Sequence, residues 1–217
     1  RNAVIAIVGD VSKAQAKILA EELTRSLEKG EKASALPAVP VLAESKEIKT
    51  IHPSTQTHVL VGQPGMKRGD PDYFPLYVGN HILGGSGLVS LLFKEIREKR
   101  ALSYSAYSYF SPMREYGPFL ASLSTRADQA EEAVKVLREN IRNFSENGPS
   151  SSALEAARKN ITGGFPLRID SNSSILGYVA VIGFYGLPLD YLDSFNANIE
   201  AVTIKDIKDA FARRINP

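Results

Sequence analysis

The sequence predicts an α+β fold, in which a largely antiparallel sheet carries helices packed on one face. Strand signals cluster in the first 125 residues, and the segments after that point have mainly helical patterns. Apolar residues make up 43% of the 217 residues, which is enough for a sizeable core. There is no internal repeat and no low-complexity tract. The chain is long for one average domain and short for two.

The chain opens with a predicted strand, a helix and a linker. Residues 3–8 are an apolar run bounded by a Gly-Asp pair, a pattern that indicates a buried strand. Ser12 and Gln15 form a predicted capping box, and the apolar residues that follow keep helical spacing as far as Gly30. Residues 31–46 contain two prolines and no helical period, so this segment is the predicted linker.

Further strands are predicted in the middle of the chain. Residues 48–52 and 55–61 have strand character and are separated by a proline. Residues 104–110 and 118–125 form a predicted hairpin, because they flank the turn-rich segment "SPMREYG". These segments supply the antiparallel sheet.

Helices are predicted on both sides of a glycine-rich segment, residues 84–87. Asp72 is the predicted start of the helix before it, and residues 88–96 carry leucine and isoleucine at helical spacing after it. Thr125 and Asp128 are predicted to cap a longer helix that has a clean apolar stripe. The helices of the C-terminal part are predicted over residues 130–144, 150–163, 171–186 and 189–213, with Pro188 and Thr203 as boundary signals.

Composition excludes several classes of function. The chain has 26 basic and 24 acidic residues, so its charge argues against nucleic acid or a membrane surface as a partner. It contains no cysteine, which excludes a disulfide, a thiolate zinc site and a cysteine nucleophile. No apolar run approaches the length of a membrane span.

Three segments of the sequence are informative when taken together. They are "NHILGGSGLVSLLFKEIREKRALSYSAYSYF", "GGFPLRIDSNSSILGYVAVIGFYGLPLDYLDSF" and "AVTIKDIKDAF". Together they resemble the M16 metallopeptidase family, which includes pitrilysin, insulin-degrading enzyme and the mitochondrial processing peptidase. The resemblance implies the M16 / LuxS-like metallohydrolase fold. It also implies that residues 1–46 are a strand-helix-linker remnant of the preceding M16 domain, and that residues 47–217 are the C-terminal, substrate-binding domain.

Arg97 and Tyr104 carry the predicted function. Their spacing resembles the Arg–Tyr pair that, in the M16 family, reaches the active site of a partner domain and holds the substrate backbone. A guanidinium offers a fixed fork of donors, and a phenol hydroxyl can donate to a carbonyl or an oxyanion. Arg100 is the rival for the arginine role, with the wrong spacing. The alternative is a solvated helix-end Arg97 and a half-buried strand residue at Tyr104.

The zinc motif of the family is missing from this sequence. That motif is an inverted His-x-x-Glu-His helix with a distal glutamate, and none of His52, His58 and His81 has these neighbours. The resemblance therefore implies zinc in a partner catalytic half, no catalytic or metal-binding residue in this chain, and no activity of the chain alone. His81 is expected to be a packed or rim histidine, and the other two to lie on strand surfaces.

Weaker patterns receive structural interpretations. Residues 84–87 lack the Gly-Lys-Ser/Thr of a phosphate loop, so a tight interhelix turn is expected. The glycine-rich substrate loop of the processing peptidase's noncatalytic subunit falls at the same place, which leaves peptide contact as an alternative. Arg168 and Asp170 are expected to form an ion pair or a cap. Glu131 and Glu132 are expected on a solvated helix face.

Two functions remain open from the sequence. The first is a noncatalytic, substrate-clamping half of an M16 zinc peptidase, whose partners are a zinc-bearing M16 domain or subunit and a peptide. The second is a structural M16-fold subunit, like the core subunits of respiratory complex III. Residues 3–8 are expected to complete the sheet, either within one chain or by exchange in a homodimer. The family and the absence of cysteine favour the bacterial periplasm or envelope over the cytoplasm.

Overall fold

The computed structural model describes residues 3–216, and a three-stranded antiparallel sheet lies at its centre. The strands are β1 (Gln56–Met66), β2 (Ala106–Phe110) and β3 (Gly117–Arg126), in the order β1-β3-β2. β2 and β3 form the predicted hairpin, and β1 pairs with nearly the whole length of β3.

Helices account for most of the remaining regular structure. Two of the short ones continue as π-helical turns, α2 over His81–Gly85 and α3 over Lys94–Glu98. The helices are α1 (Lys13–Thr24), α2 (Tyr73–Asn80), α3 (Leu91–Phe93), α4 (Ala130–Asn147), α5 (Ser151–Gly164), α6 (Asn172–Tyr185), α7 (Tyr191–Ala201) and α8 (Ile204–Arg214). Single 3₁₀ turns cover Gly87–Val89, Ala127–Gln129 and Pro166–Arg168.

One face of the sheet is buried under helices. Along β3 every second residue is buried, including Phe119, Ala121 and Leu123, because successive side chains of a strand point to opposite faces. α4 packs on β1 and β3, and α2 and α3 pack on β2. On the opposite face, Leu60 and Tyr107 are exposed. The predicted α+β class, with helices on one face of an antiparallel sheet, is confirmed.

Phe211 anchors α8 in this core. It is fully buried, and its ring meets the rings of Phe110 and Phe144 at centroid distances of 6.2 and 4.9 Å. Gly79 of α2 lies directly against it, since a Cβ atom at that position would overlap the Phe211 ring. The missing side chain therefore allows α2 and α8 to approach closely.

An ion-pair network ties the end of α8 to the loop before α2. Arg214 donates through Nη2 to Asp70 at 2.8 Å and through Nε to Asp72 at 3.0 Å, and Arg213 donates to Asp72 at 2.6 Å. Burial of Asp72 opposes its ionisation, but the hydrogen bonds from the two arginines outweigh this effect and lower the pKa of the carboxyl group.

We expect Asp72→Asn to lower the free energy of unfolding at pH 7 by about 1–3 kcal/mol, the range for hydrogen bonds to charged groups. Because the folded pKa is depressed, this contribution is complete above the unfolded value of about 4 and is lost as the pH falls through the lower folded value. Urea titrations from pH 7 to pH 2 should therefore show the two proteins converging in acid. Asp128→Asn, at an exposed pair with Arg126, is the matched control and should change stability little. A gap between wild type and Asp72→Asn that stays constant down to pH 2 would contradict the assignment.

The predicted strand at residues 3–8 is absent. These residues do not belong to the sheet that the structure describes between positions 3 and 216, and Val4 and Ile5 are exposed. Val4 lies instead against Gly183 of α6. A strand requires backbone partners on a sheet edge, and here the segment packs on a helix, so its predicted pairing within one chain is wrong. Exchange between two chains stays a prediction.

Two local predictions also need correction. Residues 48–52 are exposed and irregular, and β1 begins only at Gln56. The predicted cap of α4 does not form, because the Thr125 hydroxyl donates to the Leu102 carbonyl at 2.5 Å and Asp128 accepts from Arg126 instead. The helices predicted in the C-terminal part are present, and residues 189–213 form two helices that divide at Thr203, the predicted boundary residue.

Candidate functional site

Arg97 lies at the surface, in the π-helical turn that follows α3. Its side chain is exposed, and its guanidinium stands over the Phe93 ring at 4.8 Å from the centroid. Within the described part of the chain it has no ion-pair partner. Its donors are therefore available to a group from outside the chain.

Arg100, the rival for the same role, is held by Glu95. Its Nη1 atom donates to the Glu95 carboxylate at 2.8 Å and to the Glu95 carbonyl at 2.7 Å. Lys99 pairs with the same carboxylate at 2.5 Å. The hydrogen bonds from Lys99 and Arg100 lower the pKa of Glu95, so this cluster stays charged and closed at neutral pH. Both arginines are exposed, but only Arg97 has no ion-pair partner among the described residues.

A left-handed turn connects Arg97 to Tyr104. Ala101 has a φ of +53°, which is uncommon for a residue with a Cβ atom. Its amide donates to the Arg97 carbonyl at 2.9 Å, and the Leu102 amide donates to the Ile96 carbonyl at 3.0 Å. These bonds satisfy carbonyls at the end of the helix, as left-handed caps do, and they reverse the chain toward β2.

The loop that carries Tyr104 is anchored on both sides. Leu102 and Ser103 are buried, and the Ser103 hydroxyl lies at 2.7 Å from the Ser105 carbonyl and 2.6 Å from the Ser124 carbonyl. Tyr104 itself is 82% exposed. The interpretation of Tyr104 as a half-buried strand residue is therefore wrong. Arg97 and Tyr104 both lie at the surface, on either side of one anchored turn.

A cleft of about 510 Å³ lies beside β2 and includes the glycine-rich segment in its wall. Gly84 lies so close to the Ser108 amide that a Cβ atom would overlap it. The Asn80 side chain binds the same residue, with Nδ2 donating to the Ser108 carbonyl at 3.1 Å. The predicted interhelix turn is thus shorter than residues 84–87, because Gly84 and Gly85 still belong to the π-helical turn that extends α2 and packs against the edge of β2.

Tyrosines and Arg68 form the other wall of the cleft, and Arg168 contacts this wall from outside the lining. The rings of Tyr73 and Tyr77 stack at 5.9 Å, and Arg68 donates to the Tyr73 hydroxyl at 3.3 Å. Arg168 donates to the Tyr77 hydroxyl at 2.8 Å. Arg168 was expected in an ion pair or cap with Asp170, but the described structure records no ion pair between them. Asp170 accepts instead from the Ser174 hydroxyl at 3.4 Å.

The three histidines lie apart and have different surroundings. Burial and the nearby charge of Arg168 lower the pKa of His81, so this packed histidine is neutral at pH 7. His58 Nδ1 lies 2.7 Å from the Ser124 hydroxyl, and His52 is exposed before β1. Among residues 3–216, no group of three or more His, Cys, Asp or Glu side chains could hold a metal ion. The residues of this part of the chain therefore do not fit a zinc ion.

Sequence reasoning did not identify the cleft. Its polar residues come from the segment after β1 (Arg68), from α2 (Tyr73 and Tyr77) and from β2 (Tyr107 and Tyr109). The one available signal was the alternation of tyrosines in "AYSYF", which places Tyr107 and Tyr109 on the same face of a strand.

The chain belongs to the M16 peptidase family, because the family profile described as "Peptidase M16 inactive domain" matches residues 1–161. It is similar to the M16 inactive domain of Pseudomonas fluorescens, with a TM-score of 0.86 and 33% identity over 96% of this chain and 49% of that one. The resemblance found in the sequence is thereby confirmed, and the chain is an inactive C-terminal domain of the zinc protease-like type.

Curated relatives are similar to this chain over part of their length. An uncharacterised zinc protease of Streptomyces coelicolor is 31% identical over 160 residues, which cover 74% of this chain and 34% of that protein. A protein of Helicobacter pylori named a non-peptidase homolog is 29% identical, over 77% of this chain and 39% of its own length. The chain therefore spans well under half of these relatives. Within residues 3–216, no helix has both the length and the apolar character that crossing a membrane requires.

Proposed function

We propose that this chain is the noncatalytic, substrate-clamping half of an M16-type zinc metallopeptidase. It completes the active site of a zinc-bearing partner domain or subunit for peptide hydrolysis. The single observation that supports this role best is the exposure of Arg97 and Tyr104 on one anchored turn. The nearby cations Lys99 and Arg100 pair with Glu95, whereas Arg97 has no ion pair among the described residues.

The chemistry of the pair suits the backbone of a peptide substrate. The Arg97 guanidinium presents several N–H donors in a rigid plane, and the Tyr104 hydroxyl adds one O–H donor. Both can donate to substrate carbonyls, and a donor aimed at the developing oxyanion stabilises the transition state of hydrolysis. The buried anchors at Leu102 and Ser103 fix the position of Tyr104, which lowers the entropy lost on binding.

In this proposal the zinc ion belongs to the partner half. When bound there, the metal supplies an activated water and polarises the scissile carbonyl. This chain contributes donors and position, and residues 1–46 are interpreted as the remnant of the preceding domain.

We expect the purified chain to hold no stoichiometric zinc and to cleave no peptide. The reason is that a zinc site normally needs three protein ligands, and His52, His58 and His81 do not come together. Metal analysis after dialysis against zinc, together with a cleavage assay on a mixed peptide library, measures both properties. One tightly held zinc ion per chain would contradict this expectation, as would cleavage that a chelator abolishes.

The second candidate function is that of a structural M16-fold subunit without a proteolytic role. It is favoured by the relative from Helicobacter pylori whose name describes it as a non-peptidase homolog. Mixing the chain with a zinc-bearing M16 half and assaying peptide cleavage separates the two candidates. The clamp requires that cleavage rise above that of the zinc-bearing half alone, and the structural role predicts no change.

A further inference from the structure

We propose that the cleft beside β2 binds a carboxylate group of a peptide, and that Arg68 is the residue that pairs with that carboxylate. The proposal deepens the proposed function, and it rests on that function in taking a peptide as the ligand. The cleft involves neither Arg97 nor Tyr104, since neither residue lines it.

The charge of the cleft selects an anion. Its lining contains one cationic residue, Arg68, and no aspartate or glutamate. Arg68 has no ion-pair partner in the part of the chain that the structure describes, although Asp70 and Asp72 lie close to it in sequence. Those two carboxylates are bound by the arginines of α8. The charge of Arg68 is therefore left for a ligand.

The guanidinium of Arg68 is held in place, but some of its N–H donors have no hydrogen-bond partner among the described residues. It lies near two rings, 5.6 Å from the centroid of Tyr73 and 5.4 Å from that of Tyr185. One of its hydrogen bonds is recorded within residues 3–216, to the Tyr73 hydroxyl, and its Nε atom is buried without a partner. A guanidinium has five N–H donors. A fixed cation with unused donors matches a carboxylate, the group that binds arginine most strongly among peptide groups.

Tyr77 adds a second donor toward the same ligand. Its hydroxyl oxygen accepts from Arg168 at 2.8 Å, so its own hydrogen is available to an acceptor in the cleft. Arg168 also has no ion-pair partner among the described residues, and its charge adds to the positive potential behind the tyrosine pair. Two guanidiniums bonded to the hydroxyls of stacked tyrosines disfavour a cationic ligand.

The remaining wall fits the apolar part of a peptide end. Tyr107 and Tyr109 stack at 6.3 Å and are about half exposed. The Asn80 amide donates to the Ser108 carbonyl, which lies in the middle of the outer edge of β2. Because this carbonyl already has a hydrogen-bond partner, a peptide cannot pair with it to extend the sheet there. The ligand would therefore lie against the tyrosine rings, with its carboxylate at Arg68.

The test uses the 217-residue chain and three acetylated pentapeptides. The first is Ala-Ala-Ala-Ala-Phe with a free carboxylate, the second is its C-terminal amide, and the third is the amide with glutamate at the fourth position. Isothermal titration at low salt should show the first or the third binding roughly 10–100-fold more tightly than the second, the range for a hydrogen bond to a charged group. The first and third peptides distinguish a C-terminal carboxylate from an acidic side chain.

Variants assign the effect to Arg68. Arg68→Gln should reduce the affinity for the carboxylate peptide to that for the amide, Arg68→Lys should keep part of it, and Arg138→Gln on the exposed face of α4 should change nothing.

Equal binding of carboxylate and amide by the wild type would overturn the proposal, and so would no binding of any of the three. An Arg68→Gln variant that loses both peptides equally would also overturn it, by assigning Arg68 to packing. If this variant does not fold, the wild-type and Arg68→Lys comparisons still decide. The measurement needs neither zinc nor turnover, so its failure is distinguishable from failure of the clamp.

Discussion

In the peptidase that we propose this chain forms with a zinc-bearing half, Arg97→Ala or Tyr104→Phe should lower turnover by roughly 10–1,000-fold, the range for losing one transition-state hydrogen-bond donor. Tyr104→Phe removes one hydroxyl, and Arg97→Ala removes a cation that no described carboxylate of this chain neutralises. Initial-rate kinetics on a fluorogenic peptide measure the effect. A fall in kcat places the contact in the transition state, whereas a rise in KM alone indicates uniform substrate binding.

The matched control is Arg100→Ala. Arg100 lies on the same turn, but its guanidinium is bound by Glu95, so we expect activity close to that of the wild type. Melting temperatures of all three variants should match the wild type, because Arg97 and Tyr104 are exposed. Wild-type activity in both test variants would return Arg97 and Tyr104 to a structural role, and the structural-subunit interpretation would then be preferred.

Elements with strong local signals were predictable from the sequence. α4 was predicted from its apolar stripe, and it buries Leu137, Ile141 and Phe144 as that pattern requires. The hairpin of β2 and β3 was predicted from two apolar runs around one turn. In both cases the information lies within about twenty residues of sequence, so neighbours along the chain determine the structure.

Residues 3–8 show where local pattern fails. An apolar run bounded by turn residues is consistent with a buried strand, but its pairing depends on a sheet edge elsewhere in the chain. The segment instead reaches α6 and contacts Gly183. Thr125 is a second case, since its hydroxyl has a choice between capping α4 and binding the Leu102 carbonyl. Tertiary contacts decided both outcomes.

The residues of the candidate site also differ in whether local sequence or tertiary contacts bring them together. Arg97 and Tyr104 became candidates because their spacing of seven residues, within one continuous segment, resembles the Arg–Tyr pair of the M16 family, and their role stays a prediction. The cleft could not be predicted, because Arg68, Tyr77 and Tyr109 come from three elements that meet only in the folded chain. Arg97 has no ion-pair partner among residues 3–216, whereas Arg100 is paired with Glu95, and this difference depends on side-chain positions that the sequence does not give.

The largest loss of stability is expected for Phe211→Ala, which should lower the free energy of unfolding by about 3–5 kcal/mol. The Phe211 ring is fully buried between Phe110 and Phe144, and Gly79 of α2 packs directly against it. The truncation removes apolar contact area and leaves a cavity that two packed helices and a strand cannot easily fill. Phe211→Leu should fall between wild type and alanine, because it keeps part of that volume.

Urea denaturation measures this loss. A shift of the unfolding midpoint at a constant slope of free energy against urea concentration reports a change in stability alone. Tyr104→Ala is the matched aromatic control, and at 82% exposure it should stay within about 0.5 kcal/mol of wild type. We therefore expect Phe211→Ala to lower the stability of the fold, and Tyr104→Ala to lower the turnover of the proposed peptidase without lowering stability. If Phe211→Ala costs no more stability than Tyr104→Ala, then α8 is not packed in the core as described, and the network that Arg214 forms at its end would need a different explanation.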